Sequence, residues 1–205
     1  MNQWKKHAGN AIVITRDDID TDQLLPKQFM KLIDKKGYGK YLFYNWRYLD
    51  QEGKKLNPDF VLNQNQDLNP TILVAGKNFG CGSSREHAAW ALSDYGMKVI
   101  IAESFGDIFT INASKNGIAL IKLVSKQIDS ICNWVHSNRG TAMSIDLERQ
   151  LIQFGDTQMK FHLEDSFKNR IIFGLDDIDL TLKEIKSIDS FIKSYHTKNH
   201  YLNLV

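Results

Sequence analysis

Cysteine is the scarcest informative residue in this chain: 205 residues carry two, Cys81 and Cys132. Two thiols make no disulfide framework and fall short of the four thiolates that commonly hold an iron–sulfur cluster. Their setting is most simply a reducing one, and a cytoplasmic location is expected. No apolar run approaches the roughly 18 residues of a membrane span. The first residues, MNQWKKHAGN, lack an apolar core behind their lysines, so no secretory leader and no membrane association are expected. Charge of one sign is missing too. With 26 basic and 24 acidic residues the formal net charge is +2, which gives no electrostatic case for a nucleic-acid partner. No internal repeat is visible, and no histidine stands at metal-ligand spacing from cysteines or acids.

What remains is an ordinary globular composition, 42% hydrophobic and 24% charged. A chain of this length buries about 70% of its unfolded surface without a disulfide or metal. The expectation is one domain over residues 1–205, with a lid or partner-facing segment at about 26–50 and a helical C-terminal extension at about 164–205.

The stretch Gly76–Tyr95, GKNFGCGSSREHAAWALSDY, organises the rest. Thr71–Ala75 before it is a β-branched apolar run that predicts a buried strand. Ser83-x-x-Glu86 has the form of a capping box and predicts a helix start. Ala88, Ala91, Leu92 and Tyr95 give that helix one apolar face, and Gly96 stands where it should end. Gly76, Gly80 and Gly82 permit φ > 0 and leave room for a ligand against the backbone. A helix N-terminus with Ser83, Ser84 and Arg85 beside it suits a small carboxylate. The spacing is neither that of a P-loop nor of a Gly-x-Gly-x-x-Gly fingerprint. A capped helix after a tight turn remains the plain alternative.

The other elements follow from pattern. Strands are expected at Ala11–Thr15, Lys98–Ala102 and Ala119–Val124, with helices from Ser104 to about Asn112 and over Ile128–His136. Met143–Leu147 and Gln150–Phe154 read as a hairpin followed by Met159–Leu163 after the turn Gly155-Asp156; Phe167, Ile171 and Ile172 begin a helix that stops at Gly174, and Asp176–Phe191 carries helical spacing. This alternation argues an α/β fold. Arg16–Asp22 carries four aspartates. It lacks the glycine and closing glutamate of a calcium loop, so a hydrogen-bonded loop is the better reading. Pro26–Asp50 mixes aromatic and basic residues, which reads as part core and part lid rather than a single-stranded nucleic-acid surface. Cys81 with His87 nearby leaves a thiol nucleophile open as a rival, against a small residue filling a turn.

Asn78–Leu92, NFGCGSSREHAAWAL, closely resembles the signature of the small subunits of 3-isopropylmalate dehydratase, in the aconitase superfamily. Asp20–Phe29 (DTDQLLPKQF), Leu42–Asp50, Asn57–Leu62, Asp94–Phe109 and Gly174–Leu182 resemble that family in the same order. One departure is Ala89, where many relatives carry proline. The resemblance implies a swivelling β/β/α domain. It also implies a hydro-lyase reaction that removes water from 2-isopropylmalate and returns it to give 3-isopropylmalate, within leucine biosynthesis. By position it makes Ser83 the catalytic base, Arg85 and Ser84 substrate contacts beside Gly82, and Asp22 an active-site carboxylate that orients Arg85. It implies a large-subunit partner carrying a [4Fe-4S] cluster, with none in this chain. Citrate-type relatives place a substrate arginine where this chain has none between Arg16 and Arg47. Phe29, Met30 and Leu32 are then expected to wall an isopropyl group. The rivals are a related hydro-lyase for citraconate or another branched malate, and a non-catalytic aconitase-like binding module.

Overall fold

The structure, a computed structural model, describes residues 3–31 and 35–199. The chain divides into two units, Met1–Gly174 and Leu175–Val205. In the first, β1 (Lys6–Gly9) and β2 (Ala11–Ile14) lead to three short helices, α1 (Thr21–Leu24), α2 (Tyr44–Arg47) and α3 (Val61–Gln64). Then follow β3 (Ile72–Ala75), α4 (Glu86–Tyr95), β4 (Val99–Ala102), α5 (Asp107–Lys115), β5 (Ala119–Lys122) and α6 (Ser125–Ser137). β6 (Met143–Asp146), β7 (Leu151–Phe154), β8 (Thr157–Lys160) and α7 (Asp165–Phe173) complete it. The second unit holds α8 (Asp177–Leu182) and α9 (Ile185–Lys198).

The strands form two sheets. One is parallel in the order β2-β3-β4-β5, and the other antiparallel in the order β1-β6-β7-β8. The parallel strands are apolar at every other position and at the positions between, so both faces are buried. Ile12, Leu73, Ala75, Ile100 and Leu120 face Ala88 and Leu92 of α4 and Phe109 of α5. Ala11, Ile72, Val74, Ile101 and Ile121 face the other way, onto Ile131 of α6 and Met143, Ile145 and Ile152 of the antiparallel sheet. Two sheets and a helical layer are the expected α/β architecture.

Five local expectations shift. β1 was not foreseen, because KHAG alternates exposed and half-buried residues at a sheet edge. The helix after the glycine loop starts at Glu86, not Ser83, with Arg85 at its cap and no side-chain cap bond. α5 starts at Asp107 behind Gly106, since Ser104 is occupied elsewhere: its Oγ accepts from the Asn78 N–H at 2.8 Å. The last strand of the antiparallel set is Thr157–Lys160, where Met159 pairs opposite Ile152. In the second unit the helical stretch is two helices, and α9 extends past Phe191 to Lys198.

Within 26–50, Tyr38, Leu42 and Phe43 are fully buried, which is the core part of that segment. The Asp94 carboxylate on α4 holds it by accepting from the N–H groups of Gly37 (3.0 Å) and Gly39 (2.7 Å).

Candidate functional site

Because β2, β3 and β4 are parallel, the loops that leave them emerge at one end of the sheet, where ligands gather in open α/β sheets. Backbone bonds tie these loops together. Gly80 N–H donates to Ile19 O at 2.7 Å, Thr21 N–H to Cys81 O at 3.0 Å, Phe79 N–H to Ser104 O at 3.0 Å, and Gly106 N–H to Phe79 O at 3.0 Å. Between them lies a cleft of about 270 Å³ lined by Thr21, Gly80–Ser83, Arg85 and the start of α5, Gly106–Phe109.

Two of the glycines are required by the turn itself. Gly80 has φ +74° and Gly82 φ +92°, conformations that cost an L-residue strain. A Cβ on Gly80 would overlap the Phe109 ring, whereas one on Gly82 would meet Asp20 Cβ at an ordinary 3.4 Å. Gly76 needs no positive φ; its Cβ would come within 2.5 Å of the Arg16 carbonyl oxygen. At Gly76 and Gly80 the space kept free therefore belongs to the protein's own packing, not to a ligand as the sequence suggested.

The side chains converge from two loops. Asp22, in the first turn of α1, forms an ion pair with Arg85 Nη1. Lys27 Nζ stands 3.8 Å from the other Asp22 oxygen. The Arg85 side chain, which lines the cleft, is 11% exposed and that of Asp22, outside the lining, 41%. α1 is fixed by its own capping box: Asp20 Oδ1 accepts from Gln23 N–H at 2.7 Å, and Gln23 Oε1 accepts from Asp20 N–H at 3.1 Å. Thr21, buried, donates its hydroxyl to the Ser83 carbonyl at 3.0 Å. Ser83 lines the cleft and is exposed, whereas Ser84, also exposed, is outside the lining.

The expected reciprocal box of Ser83 and Glu86 does not form, for a physical reason. Ser83 is turned by Gly82 and held by Thr21, two residues ahead of the cap. Glu86 instead accepts from Trp90 Nε1 at 3.0 Å and Lys35 Nζ at 3.3 Å. Burial pushes its carboxyl up, but the hydrogen bonds from Trp90, Lys35 and Asn116 outweigh that and hold it below the usual range. An ionised Glu86 thus occupies the positive end of α4. The positive charge that lines the cleft is the Arg85 guanidinium rather than the helix terminus.

The aspartate loop is hydrogen-bonded as expected. Asp17 Oδ1 accepts from Lys77 N–H at 2.9 Å, Asp18 Oδ1 from Asn78 Nδ2 at 2.8 Å, Asp20 caps α1 and Asp22 takes Arg85. Among the described residues no three His, Cys, Asp or Glu side chains are grouped to hold a metal ion. Among the same residues no helix is long and apolar enough to cross a membrane.

Cys81 does line the cleft, but burial and the nearby Asp20 and Asp18 push its thiol pKa up, not down. His87 packs its ring on Tyr38 and Trp90, at 5.5 and 4.5 Å between centroids. The activated-thiol reading loses both its supports. Phe29 and Met30 pack against the core, and Phe29 stacks on Tyr41 at 4.1 Å. Neither lines the cleft, and Leu32 lies outside the described residues. The sequence reading missed Thr21, Asp107 and Ile108, which do line it. For Thr21 a signal was present, since Asp20-x-x-Gln23 is a capping box that puts Thr21 at the first position of α1.

The family of the aconitase C-terminal domain matches residues 1–126. The 3-isopropylmalate dehydratase small subunit of Buchnera aphidicola subsp. Pterocomma populeum is 45% identical over 193 residues, covering 94% of this chain and 93% of its own. That of Leptospira interrogans serogroup Icterohaemorrhagiae serovar copenhageni (strain Fiocruz L1-130) is 46% identical over 187 residues, covering 90% of each. A crystal structure of 3-isopropylmalate dehydratase from Methanocaldococcus jannaschii superposes with a TM-score of 0.62 at 27% identity, over 90% of this chain and 98% of that one.

Proposed function

The chain belongs to the 3-isopropylmalate dehydratase small subunits of the aconitase superfamily, and from that premise we propose that it works with a large subunit to isomerise 2-isopropylmalate and 3-isopropylmalate through 2-isopropylmaleate, in leucine biosynthesis. The observation that carries this reading is the Arg85–Asp22 pair beside Ser83 at the cleft between the β2 and β3 loops.

The reaction breaks a C–H bond next to a carboxylate and a C–OH bond on the neighbouring carbon. The C–H electron pair becomes the double bond of 2-isopropylmaleate as hydroxide leaves, and the reverse addition places hydroxyl and proton on exchanged carbons. Arg85 is suited to hold a substrate carboxylate in its planar fork. Asp22 keeps that fork aimed, because a guanidinium already paired on one edge has lost its rotational freedom. Ser83 takes the proton. Its alkoxide is far too basic for water, so it depends on the positive charge of Arg85, which lines the same cleft. Gly82 and Ser84 frame the substrate, and the Phe29–Leu32 segment is our choice for the wall around the isopropyl group. Lys27, two residues before Phe29, stands 3.8 Å from Asp22, which supports that choice.

Hydroxide is a poor leaving group and calls for a Lewis acid. Two cysteines, one in the cleft and one in the opposite core, do not fit a cluster of their own. We place a [4Fe-4S] cluster on the large subunit, where it supplies that Lewis acidity. We place the protein in the cytoplasm, which two free thiols support. Co-expression with a cluster-bearing large subunit, followed by an anaerobic assay on 2-isopropylmalate, tests the whole reading. The heteromer should form 3-isopropylmalate and neither subunit alone should. Turnover by this chain alone, or none by the intact heteromer, would overturn it.

A further inference from the structure

The parallel sheet is open along β2, the first strand in its order. Asn10 O accepts from Ile72 N–H at 3.2 Å. Bonding in a parallel pair alternates along each strand, so Ile12 and Ile14 also turn their backbone groups to β3. Ala11 and Val13 turn theirs to the open edge, where no other described residue bonds them. A cavity of about 240 Å³ lies against this edge, and both residues line it. Val61, from the α4 face of the sheet, and Val135, from the α6 face, also line it, together with Leu68. Arg139 lines the same space. Its Nε donates to Asn65 Oδ1 at 3.0 Å, and its Nη2 to Gln64 O at 3.1 Å and to Asp67 Oδ1 at 3.0 Å. Nη1 bonds no described residue, and no aspartate or glutamate lines the cavity.

We infer that this cavity is a binding site for a small, branched aliphatic monocarboxylate. It shares no lining residue with the catalytic cleft, and the inference does not depend on the function proposed above. Three features select the ligand. Buried backbone groups are almost always paired, and Ala11, 9% exposed, has only this space on its free side. With Val13 it offers two N–H donors about 7 Å apart along the strand. A guanidinium nitrogen without a partner suits a carboxylate, and with no acid in the lining nothing repels the anion. An ammonium group would meet Arg139 and find no carboxylate, which excludes cations. Val13, Val61, Leu68 and Val135 are all branched and aliphatic, so the interior favours an apolar body of like shape. The space far exceeds the roughly 10–15 Å³ that a single bridging water needs.

Titration of the nitrogen-15-labelled full-length chain with 4-methylpentanoate, followed by amide chemical shifts, tests this. The Ala11 and Val13 amides should shift saturably, with a Kd of about 1 mM or tighter for so small a ligand. The uncharged 4-methylpentanamide should bind about tenfold more weakly, because it lacks the charge that Arg139 reads. Acetate, which lacks the apolar body, should also lose at least about tenfold. Arg139→Gln should weaken 4-methylpentanoate about tenfold. Val61→Phe fills the cavity and should weaken it about tenfold or more, and it decides the matter if losing the Arg139 ties unfolds the chain. A wild-type chain with no saturable shift at Ala11 and Val13 would overturn the site, as would shifts confined to the Gly82–Arg85 amides. Folded variants that bind like wild type, or an amide that binds as tightly as the acid, would overturn it as well.

Discussion

Thr21 holds Ser83 by its backbone: the threonine hydroxyl donates to the serine carbonyl at 3.0 Å. One residue on from Thr21, Asp22 is paired with Arg85, so the α1 turn grips the Ser83–Arg85 loop at two points. Thr21→Val keeps the shape and removes the first grip. It should cost about 1 kcal/mol of stability, one hydrogen bond's worth. It should also lower kcat about tenfold, because a small displacement of the base is expensive. Urea titration and kcat at saturating large subunit check both. Unchanged kcat would mean that Gly82 and Arg85 alone hold the loop.

Asp22→Asn leaves the size of the side chain and removes its charge. Arg85 then lacks its aiming partner, and KM for 2-isopropylmalate should rise about tenfold, with a smaller fall in kcat. Arg85→Lys should be more damaging on both, since it loses the fork itself. Steady-state kinetics on the reconstituted heteromer separates them. An Asp22→Asn enzyme with wild-type KM would show that the ion pair is structural.

Gly80 and Gly82 share the left-handed conformation but not the crowding. Gly80→Ala combines φ strain with overlap on Phe109 and should cost about 2–4 kcal/mol. Gly82→Ala meets no close atom and should cost about 1 kcal/mol. Equal losses in urea unfolding would contradict this account of the turn.

His7 on β1 shares a hydrogen bond of 2.7 Å with Thr71 Oγ1, and burial, then Lys98, lower its pKa from 6.5. With the folded pKa below the unfolded one, the unfolded chain takes up the proton first as pH falls. Stability is then fully present above about 6.5 and declines as pH drops through the interval below it. The melting temperature should start to fall there, before the carboxylates titrate, and His7→Gln should flatten that first decline. A melting temperature constant from pH 7 to 5 in the wild type would refute it.

Much of this was legible in the sequence, for identifiable reasons. The four parallel strands are apolar at consecutive positions, such as Ile72–Ala75 and Val99–Ala102, and this marks burial on both faces. The Asp22–Arg85 relation came through the family resemblance. Composition could not have supplied it, since 63 residues separate the two. The helix start was misjudged because Ser83-x-x-Glu86 fits a capping box locally, while long-range partners claim both residues: Thr21 for Ser83, and Lys35 and Asn116 for Glu86. The same competition moved the α5 cap from Ser104 to Gly106. The exposed pair on α5, Ile108 and Ile111, was invisible for the opposite reason. Both look like core residues by type, and only the placement of Phe109 shows which side of the helix they take.

The central claim is that Ser83 moves the proton, and Ser83→Ala tests it most directly. Ser83 is exposed and is not the cap of α4, so its loss should cost less than about 0.5 kcal/mol of stability. Subunit assembly and substrate binding should survive, while kcat for 2-isopropylmalate in the reconstituted, cluster-loaded heteromer should fall at least about a thousandfold. A Ser83→Ala heteromer that turns over within a few-fold of wild type would contradict the assignment and leave Ser83 a residue of the turn.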